Sequence, residues 1–211
     1  AALPPPARRT GAREAEAGNA MTKPQLRPMT TADLDAILRL ELALFGDEAW
    51  SRQMLAGELG QQPASRHYVV AEDDGQIVGY AGLLAAGGQA DVLTIAVAMT
   101  RWGQGLGSML LAELLAEAVR RRCTEVFLEV RADNTRAQRL YQWWGFAKIG
   151  IRRGYYQPSG TDAIVMRREL SGTDQPRPGG PADQDGTAGE GGRAGTAGQP
   201  RAAAGSGGEA Q

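Results

Sequence analysis

The chain has 211 residues, of which 23 are Lys or Arg and 24 are Asp or Glu, with one histidine and one cysteine. This near-neutral charge argues against a nucleic-acid or membrane-surface partner, either of which would require a basic excess. A single cysteine excludes an internal disulfide, and a single histidine gives little support to a metal site or a histidine-based catalytic triad. We therefore expect a cytoplasmic, monomeric protein that binds no metal and no nucleic acid.

The composition divides the chain into three parts. Residues 1–20 contain only Leu3 as a large apolar side chain, and residues 171–211 contain none. Such segments cannot bury enough surface to offset the entropy of ordering, so we expect two disordered extensions, the second rich in Gly, Ala, Pro and Gln. We expect the functional protein to begin at Met21. The folded domain is then residues 22–170, in which no apolar stretch reaches the roughly 20 residues of a membrane span.

Eleven elements are predicted in chain order. The first five are strand QLRPM, helix TTADLDAILRLELALF, helix SRQMLAGEL capped by Ser51, and hairpin strands HYVVAED and QIVGYAGLLAA with a turn at Asp73-Asp74-Gly75. The other six are strand ADVLTIAV, a helix from Ser108 to Arg122, strand EVFLEV, helix NTRAQRLYQWW opened by Asn134, and strands FAKIGIRR and DAIVMRREL. The order βααβββαβαββ predicts an α/β fold with helices on the faces of a mixed sheet.

Three glycines, Gly103, Gly105 and Gly107, stand between the strand ADVLTIAV and the following helix. The backbone N–H groups at the start of a helix have no intrahelical acceptor and lie at the positive end of its dipole. Glycine allows the oxygens of a phosphate to approach those groups. A tight turn without a ligand is the alternative, but three glycines between a strand and a helix favour an anion site.

Two common phosphate motifs fit this loop poorly. A nucleotide-hydrolase P-loop requires a Lys and a Ser or Thr after its last glycine, and here Ser108 follows Gly107 directly. A dinucleotide fingerprint would place its third glycine at position 108, although Glu129 lies near the distance expected of its acidic residue. The residues that follow Glu129 are also too few to complete a doubly wound sheet.

A third motif fits better. The stretch Trp102-Gly103-Gln104-Gly105-Leu106-Gly107 resembles the acyl-CoA-binding signature Q/R-x-x-G-x-G/A of the GNAT acetyltransferases. Within that superfamily, WS at 50–51, FLEVRADNTRAQRLYQWWGF at 127–146 and IRRGYYQPSGTDAIVM at 151–166 resemble the ribosomal-protein alanine N-acetyltransferases, the RimI family. The resemblance covers nearly all of the predicted domain and neither extension. The chain departs from the signature at its first position, where Trp102 replaces Gln or Arg, and the neighbouring Arg101 is the predicted substitute.

The resemblance implies a reaction and a cosubstrate. The acetyl group of acetyl-CoA would pass to the N-terminal α-amine of a protein, with the N-terminal alanine of a small-subunit ribosomal protein as the expected acceptor. Acetyl-CoA would be bound by three strand residues, the glycine loop and the residue that opens the next helix: Ile95, Ala96, Val97, Gly103, Gln104, Gly105, Leu106, Gly107, Ser108 and Asn134. No metal is required. Acetylation of a small amine or a lysine, and a non-catalytic acetyl-CoA-binding regulator, remain as alternatives.

The same resemblance assigns two catalytic residues. It makes Glu129 the base that takes a proton from the amine, directly or through a water, and Tyr141 the acid that protonates the departing thiolate. Alternation in EVFLEV separates Glu129 from the apolar Val126, Leu128 and Val130, and places it beside the glycine loop if the two strands are parallel. Asn134, Gln138 and Tyr141 share one helix face, which would look towards the cosubstrate. From the residues alone, a surface carboxylate and a core tyrosine are the alternatives.

The acceptor site is predicted from RRGYY. The resemblance implies that Tyr155 and Tyr156 line the groove that holds the substrate peptide, while two tyrosines at the end of a strand that serve only the fold are the alternative. The acidic pair Asp47-Glu48 faces either a basic peptide or solvent.

Overall fold

The structure is a computed structural model that describes residues 23–171. That part of the chain contains seven β-strands and four α-helices in the predicted order βααβββαβαββ, which confirms the predicted fold class. They are β1 (Gln25–Pro28), α1 (Leu34–Phe45), α2 (Arg52–Leu59), β2 (Arg66–Asp73), β3 (Gln76–Ala86), β4 (Gln89–Val97), α3 (Leu106–Arg120), β5 (Glu125–Arg131), α4 (Thr135–Trp143), β6 (Ala147–Tyr156) and β7 (Thr161–Glu169). The two predicted extensions lie outside the described residues, apart from Ser171. None of the helices between residues 23 and 171 is long and apolar enough to cross a membrane.

Local sequence signals account for several helix boundaries. The Ser51 hydroxyl accepts a hydrogen bond from the Met54 N–H at 3.2 Å, and the Asn134 carboxamide accepts one from the Ala137 N–H at 3.0 Å, so both predicted caps are confirmed. The predicted span of α3 was two residues late at both ends. The helix begins at Leu106, after Gly105 in the left-handed region, and ends before Arg122, whose φ of 58° cannot continue it.

The seven strands form one sheet in the order β1-β2-β3-β4-β5-β7-β6. Only β4 and β5 run parallel, as expected for two strands joined by a helical crossover, here α3. All other neighbouring strands are antiparallel. Because β7 lies between β5 and β6, the last hairpin extends the sheet beyond the strand that carries Glu129.

The parallel ladder is short. It pairs Gln89–Val92 with Glu125–Leu128, although β4 continues to Val97 and β5 to Arg131. The register between β3 and β4 shifts at Leu93, directly after the last paired residue of this ladder, and such irregularities increase the local twist. Beyond the ladder, the backbone of β4 that points away from β3 is therefore available to a ligand.

Helices pack on both faces of the sheet. On one face, α3 and α4 bury apolar residues against the sheet, among them Leu110, Leu114, Val126, Leu128, Val130 and Tyr141. On the other, α1 and α2 cover β2, β3 and β4 through Ile37, Phe45, Leu55, Tyr68, Tyr80 and Leu93. The alternation predicted for β5 is confirmed, because its valines and leucine are buried under α3 and α4 while Glu125, Phe127 and Glu129 keep some exposure to solvent. Glu129 therefore lies on the face opposite to α4.

Two fully buried carboxylates serve the fold. Glu41 accepts hydrogen bonds from the Trp50 N–H at 2.8 Å and from the Tyr80 hydroxyl. Glu58 pairs with Arg66 and accepts a hydrogen bond from the Tyr68 hydroxyl at 3.0 Å. Buried carboxylates of this kind require such partners, and here those partners tie α1 and α2 to the sheet.

Candidate acyl-transfer site

The glycine loop connects the end of β4 to α3. A 3-10 turn, Met99–Arg101, follows β4, and the chain then passes through Gly103 and Gly105, with φ values of 77° and 79°. Residues other than glycine rarely adopt this left-handed backbone region, so the turn requires glycine at both positions. The first N–H groups of α3 have no acceptor within the helix, and Gly105 faces open space. This geometry is that of an anion site at a helix N-terminus.

The strand residues predicted to bind the cosubstrate lie where β4 has left the parallel ladder. Their side chains alternate between the two cores, with Ile95 and Val97 on the α3 side and Ala96 on the α1 side. Only their backbone can face the gap between β4 and β5. The Val97 carbonyl already accepts a hydrogen bond from the Trp102 indole N–H at 2.8 Å.

Asn134 supplies a buried polar group at the start of α4. Its side-chain oxygen caps the helix, while its Nδ2 is buried and has no hydrogen-bond partner. A buried donor without an acceptor is costly, and an acceptor on a ligand would remove that cost. Gln138, on the same helix face, donates its amide to the Arg131 and Ala132 carbonyls at 3.1 Å and supports the turn between β5 and α4.

Glu129 is held by an arginine that the sequence did not connect with it. Its carboxylate oxygen lies 3.0 Å from Nε of Arg152 on β6, and its side chain is 13% exposed. The Arg152 guanidinium is about half exposed and stacks on the Tyr155 ring at 5.5 Å. Asp91 interacts electrostatically with both members of the pair. The Glu129 carboxylate therefore already pairs with a cation, and a protonated amine carries the same positive charge.

Tyr141 on α4 and Tyr156 at the end of β6 are both buried phenols. Tyr141 is almost fully buried on α4, and burial raises the pKa of its hydroxyl well above the usual value. The Tyr156 hydroxyl is also buried, has no hydrogen-bond partner, and interacts electrostatically with both Glu129 and Tyr141. Burial and the nearby Glu129 charge raise the pKa of Tyr156. Both phenols thus keep their protons at neutral pH.

Arg131, at the end of β5, connects three loops: the one between α1 and α2, the one between β5 and α4, and the one between β6 and β7. Its guanidinium, only 9% exposed, donates to Asp133 at 2.9 Å, Glu48 at 3.1 Å, Ser159 at 3.2 Å and Thr161 at 2.8 Å. It also stacks on the ring of Tyr156 at 5.1 Å. The proposal that Glu48 faces either a peptide or solvent was wrong, because its carboxylate is turned towards Arg131 and is 10% exposed.

Comparison with known proteins identifies the family of this chain. Residues 34–146 match the model of the acetyltransferase (GNAT) family. The chain belongs to that family. The GNAT prediction made from the glycine loop is therefore confirmed, and the match includes the loop, β5 and α4.

The GNAT relatives include RimI enzymes. The chain is 42% identical over 146 residues to the N-alpha-acetyltransferase RimI of Mycobacterium tuberculosis, which covers 67% of this chain and 89% of the relative. It is 33% identical to a putative [ribosomal protein bS18]-alanine N-acetyltransferase of Bacillus subtilis, over 69% of this chain and 95% of the relative.

A solved structure is similar as well. The crystal structure of the ribosomal-protein-S18-alanine N-acetyltransferase of Escherichia coli superposes with a TM-score of 0.64 at 31% identity, and the match covers 70% of this chain and 94% of that chain. The resemblance to RimI is thereby confirmed.

The Arg131 contacts predict a large stability effect from a conservative change. Arg131→Lys keeps the charge, but a lysine offers three donors from one nitrogen and cannot replace the forked contacts. We expect the free energy of unfolding to fall by roughly 3 kcal/mol in urea titrations, because the largely buried Glu48 carboxylate and the neighbouring acceptors lose the forked donors. Arg167→Lys is the control, since Arg167 is 41% exposed and pairs with Glu125 and Glu169 at the surface. Equal losses in the two variants would contradict this account.

Proposed function

We propose that this chain acetylates the N-terminal α-amine of a protein, with the N-terminal alanine of a small-subunit ribosomal protein as acceptor and acetyl-CoA as donor. The similarity to RimI enzymes carries the proposal, because it extends over almost the whole described domain. Glu129 and Tyr141 both contribute to the raised pKa of the buried Tyr156 hydroxyl, which supports a site that they share. We place the activity in residues 22–170.

The residues of the loop fit the donor. The N–H groups at the start of α3 and the glycines before it would hold the pyrophosphate of acetyl-CoA. Asn134 would donate its unpartnered Nδ2–H to an acceptor on the pantetheine arm, and the backbone of Ile95, Ala96 and Val97 would pair with that arm beyond the parallel ladder. Acetyl-CoA supplies the activated acetyl thioester.

Glu129 would prepare the acceptor. An α-amine has an ordinary pKa of about 7.7–8.0, so much of it is protonated at neutral pH and cannot attack a thioester. The Glu129 carboxylate would take that proton, directly or through a water, as the amine displaces the half-exposed Arg152. Arg152 can move into solvent because its guanidinium is already about half exposed.

Tyr141 would complete the transfer. Cleavage of the thioester leaves a thiolate, and the buried phenol of Tyr141 holds a proton that it can donate to the sulfur. Glu129 and Tyr141 lie on opposite faces of the sheet, so a substrate must pass between β4 and β5 to reach both. The early end of the parallel ladder would provide that passage.

Tyr155 and Tyr156 would bind the acceptor peptide. Both lie at the end of β6 beside the Glu129–Arg152 pair, and the Arg131 contacts hold the following turn in place. The Tyr156 hydroxyl, buried and unpartnered, is suited to a hydrogen bond with the peptide backbone or its amine.

The acceptor is identified by mapping the acetylated nitrogen. The protein is incubated with acetyl-CoA and three acceptors: a peptide that starts with alanine, the same peptide with a blocked N-terminus and an internal lysine, and a panel of small amines. Mass spectrometry should place the acetyl group on the α-nitrogen of the first peptide. Transfer only to lysine or to small amines would reject the proposal, and binding of acetyl-CoA without any transfer would indicate a regulator. The same assay on residues 22–170 tests the assignment of the activity to that domain.

Gly105→Val should weaken acetyl-CoA binding. The valine side chain would occupy the space of the phosphate and disfavour the left-handed backbone of the loop. Calorimetry should show a loss of about tenfold or more in affinity. Gly75→Val is the matched control, because Gly75 has a φ of 74° and open surroundings but lies in the turn between β2 and β3. If Gly75→Val lowers the affinity as much, the effect comes from backbone strain and not from a phosphate contact.

Glu129→Gln should alter the pH dependence of turnover. Without the base, the reaction depends on amine that is already neutral, so kcat/KM should fall most below about pH 8 and recover partly at higher pH. Glu125→Gln, on the same strand but paired with Arg167 at the surface, is the control. An unaltered pH–rate profile in Glu129→Gln would assign the base to another group.

Tyr141→Phe should lower kcat with little change in acetyl-CoA affinity. The ring keeps its edge-to-face contact with Phe146 at 5.9 Å, and only the hydroxyl is lost. General acids typically contribute about 100-fold or more, and we expect a loss near 100-fold because water can partly substitute. Full kcat under conditions in which chemistry limits the rate would rule out Tyr141 as the acid.

A further inference from the structure

Asp91 on β4 is a carboxylate that the proposed mechanism does not use. Its neighbours Ala90 and Val92 are buried in the core under α3, so the Asp91 side chain lies on the opposite face of the sheet, where it is exposed. Within residues 23–171, Asp91 forms no hydrogen bond and no ion pair at contact distance. This carboxylate is therefore available to a cation of a bound molecule.

The register of the parallel ladder places Asp91 near Glu129. Asp91 is paired with Phe127, and Glu129 follows Phe127 as the next residue of β5 on the same face of the sheet. Diagonal neighbours on one face of a sheet lie about 7–8 Å apart, and the side chains of two acidic residues shorten that distance. The two carboxylates also interact electrostatically. A small cation between them can therefore contact both.

Two arginines act electrostatically on Asp91, but each is paired with another carboxylate. Arg66 is 8% exposed and pairs with Glu58, while Arg152 pairs with Glu129 at 3.0 Å. In each pair, one positive charge is balanced by one negative charge. Asp91 therefore leaves a net negative charge beside Glu129, and this charge is complementary to that of an ammonium group.

The Tyr156 hydroxyl adds a further hydrogen-bonding group near Glu129. Tyr156 is 4% exposed, its hydroxyl has no hydrogen-bond partner within the described residues, and the Glu129 charge acts on it. A buried hydroxyl without a partner costs free energy, and a bound molecule that supplies a partner would remove that cost. A protonated amine has three N–H donors, which match the acceptors offered by Asp91, Glu129 and Tyr156.

We propose that Asp91 binds the protonated α-amine of the acceptor and places it beside Glu129. The inference rests on the proposed function and adds one substrate-binding residue to that site. Asp91 attracts the ammonium by its charge, and the ammonium then displaces Arg152 from Glu129, which takes the proton. Asp91 itself stays ionised, so its contribution is to binding and not to proton transfer.

The same charge distinguishes the acceptor from the product. Acetylation converts a cationic ammonium into a neutral amide, which has a single N–H and no charge to pair with Asp91. The acetylated peptide therefore loses the Asp91 contact, and this loss favours its release. Asp91 thus selects amines that are protonated at neutral pH over neutral nitrogen groups.

The test is calorimetry with two peptides that share one sequence, begin with alanine and carry no charge apart from the α-amine. One peptide has a free α-amine and the other is acetylated at that nitrogen. Both are titrated into the full chain saturated with CoA, which has no acetyl group to transfer. The unmodified chain should bind the free peptide more tightly. Asp91→Asn should weaken binding of the free peptide about tenfold, as expected for a lost charge partner, and should change binding of the acetylated peptide by less than about twofold.

Two further variants isolate the charge of Asp91. Asp91→Glu keeps the carboxylate and should recover much of the affinity for the free peptide. Glu125→Gln is the matched control, because Glu125 lies on the same face of β5 but pairs with Arg167, and the affinity for the free peptide should change by less than about twofold. The preference of the unmodified chain for the free peptide should also decrease as the salt concentration rises.

The results separate failure of this inference from failure of the proposed function. If Asp91→Asn weakens binding of both peptides equally, Asp91 only shapes the groove and the inference is overturned. It is also overturned if Asp91→Asn leaves the affinity for the free peptide unchanged while the unmodified chain acetylates that peptide. An unmodified chain that binds neither peptide and transfers no acetyl group overturns the proposed function and the inference with it.

Discussion

The short parallel ladder between β4 and β5 is the constraint on which the site depends. A strand that leaves its neighbour exposes backbone N–H and C=O groups that must find other partners. Here the Trp102 indole satisfies the Val97 carbonyl, and the other backbone groups of β4 that point away from β3 beyond the ladder face the gap. A continuous ladder would have separated Glu129 on one face of the sheet from Tyr141 on the other. In the proposed mechanism, one substrate would reach both residues through the gap.

Arginines give this neutral domain its local charge pattern. Arg152 balances Glu129, Arg131 balances Glu48 and Asp133, and Arg101 balances Asp73. These pairs differ in burial, and burial decides what each can do. The buried Arg131 has several acceptors at once and can only hold the loops together, whereas the half-exposed Arg152 can yield its place to another cation.

Local signals in the sequence predicted much of the fold. The capping residues Ser51 and Asn134, the turn before Gly75 and the alternation in β5 all act over a few residues, so they can be recognised without knowledge of the neighbours. The predicted start of α3 was wrong because glycine is a poor helix former, yet Gly107 is helical where it packs beside Leu140. The prediction that Glu48 faces solvent or a peptide was also wrong. Its partner Arg131 is 83 residues away in the chain, so the pair cannot be recognised from neighbouring residues.

The sequence by itself determined the order of the elements, the glycine loop before α3 and the family motifs, because each depends on residues close together in the chain. The tertiary structure alone decided which side chains meet in the site. Glu129 meets Arg152 only because β6 lies two strands away from β5 in the sheet, and Trp102 meets Arg136 only because α3 and α4 pack together near their starts. Such contacts follow from strand order and helix packing, which no local periodicity encodes.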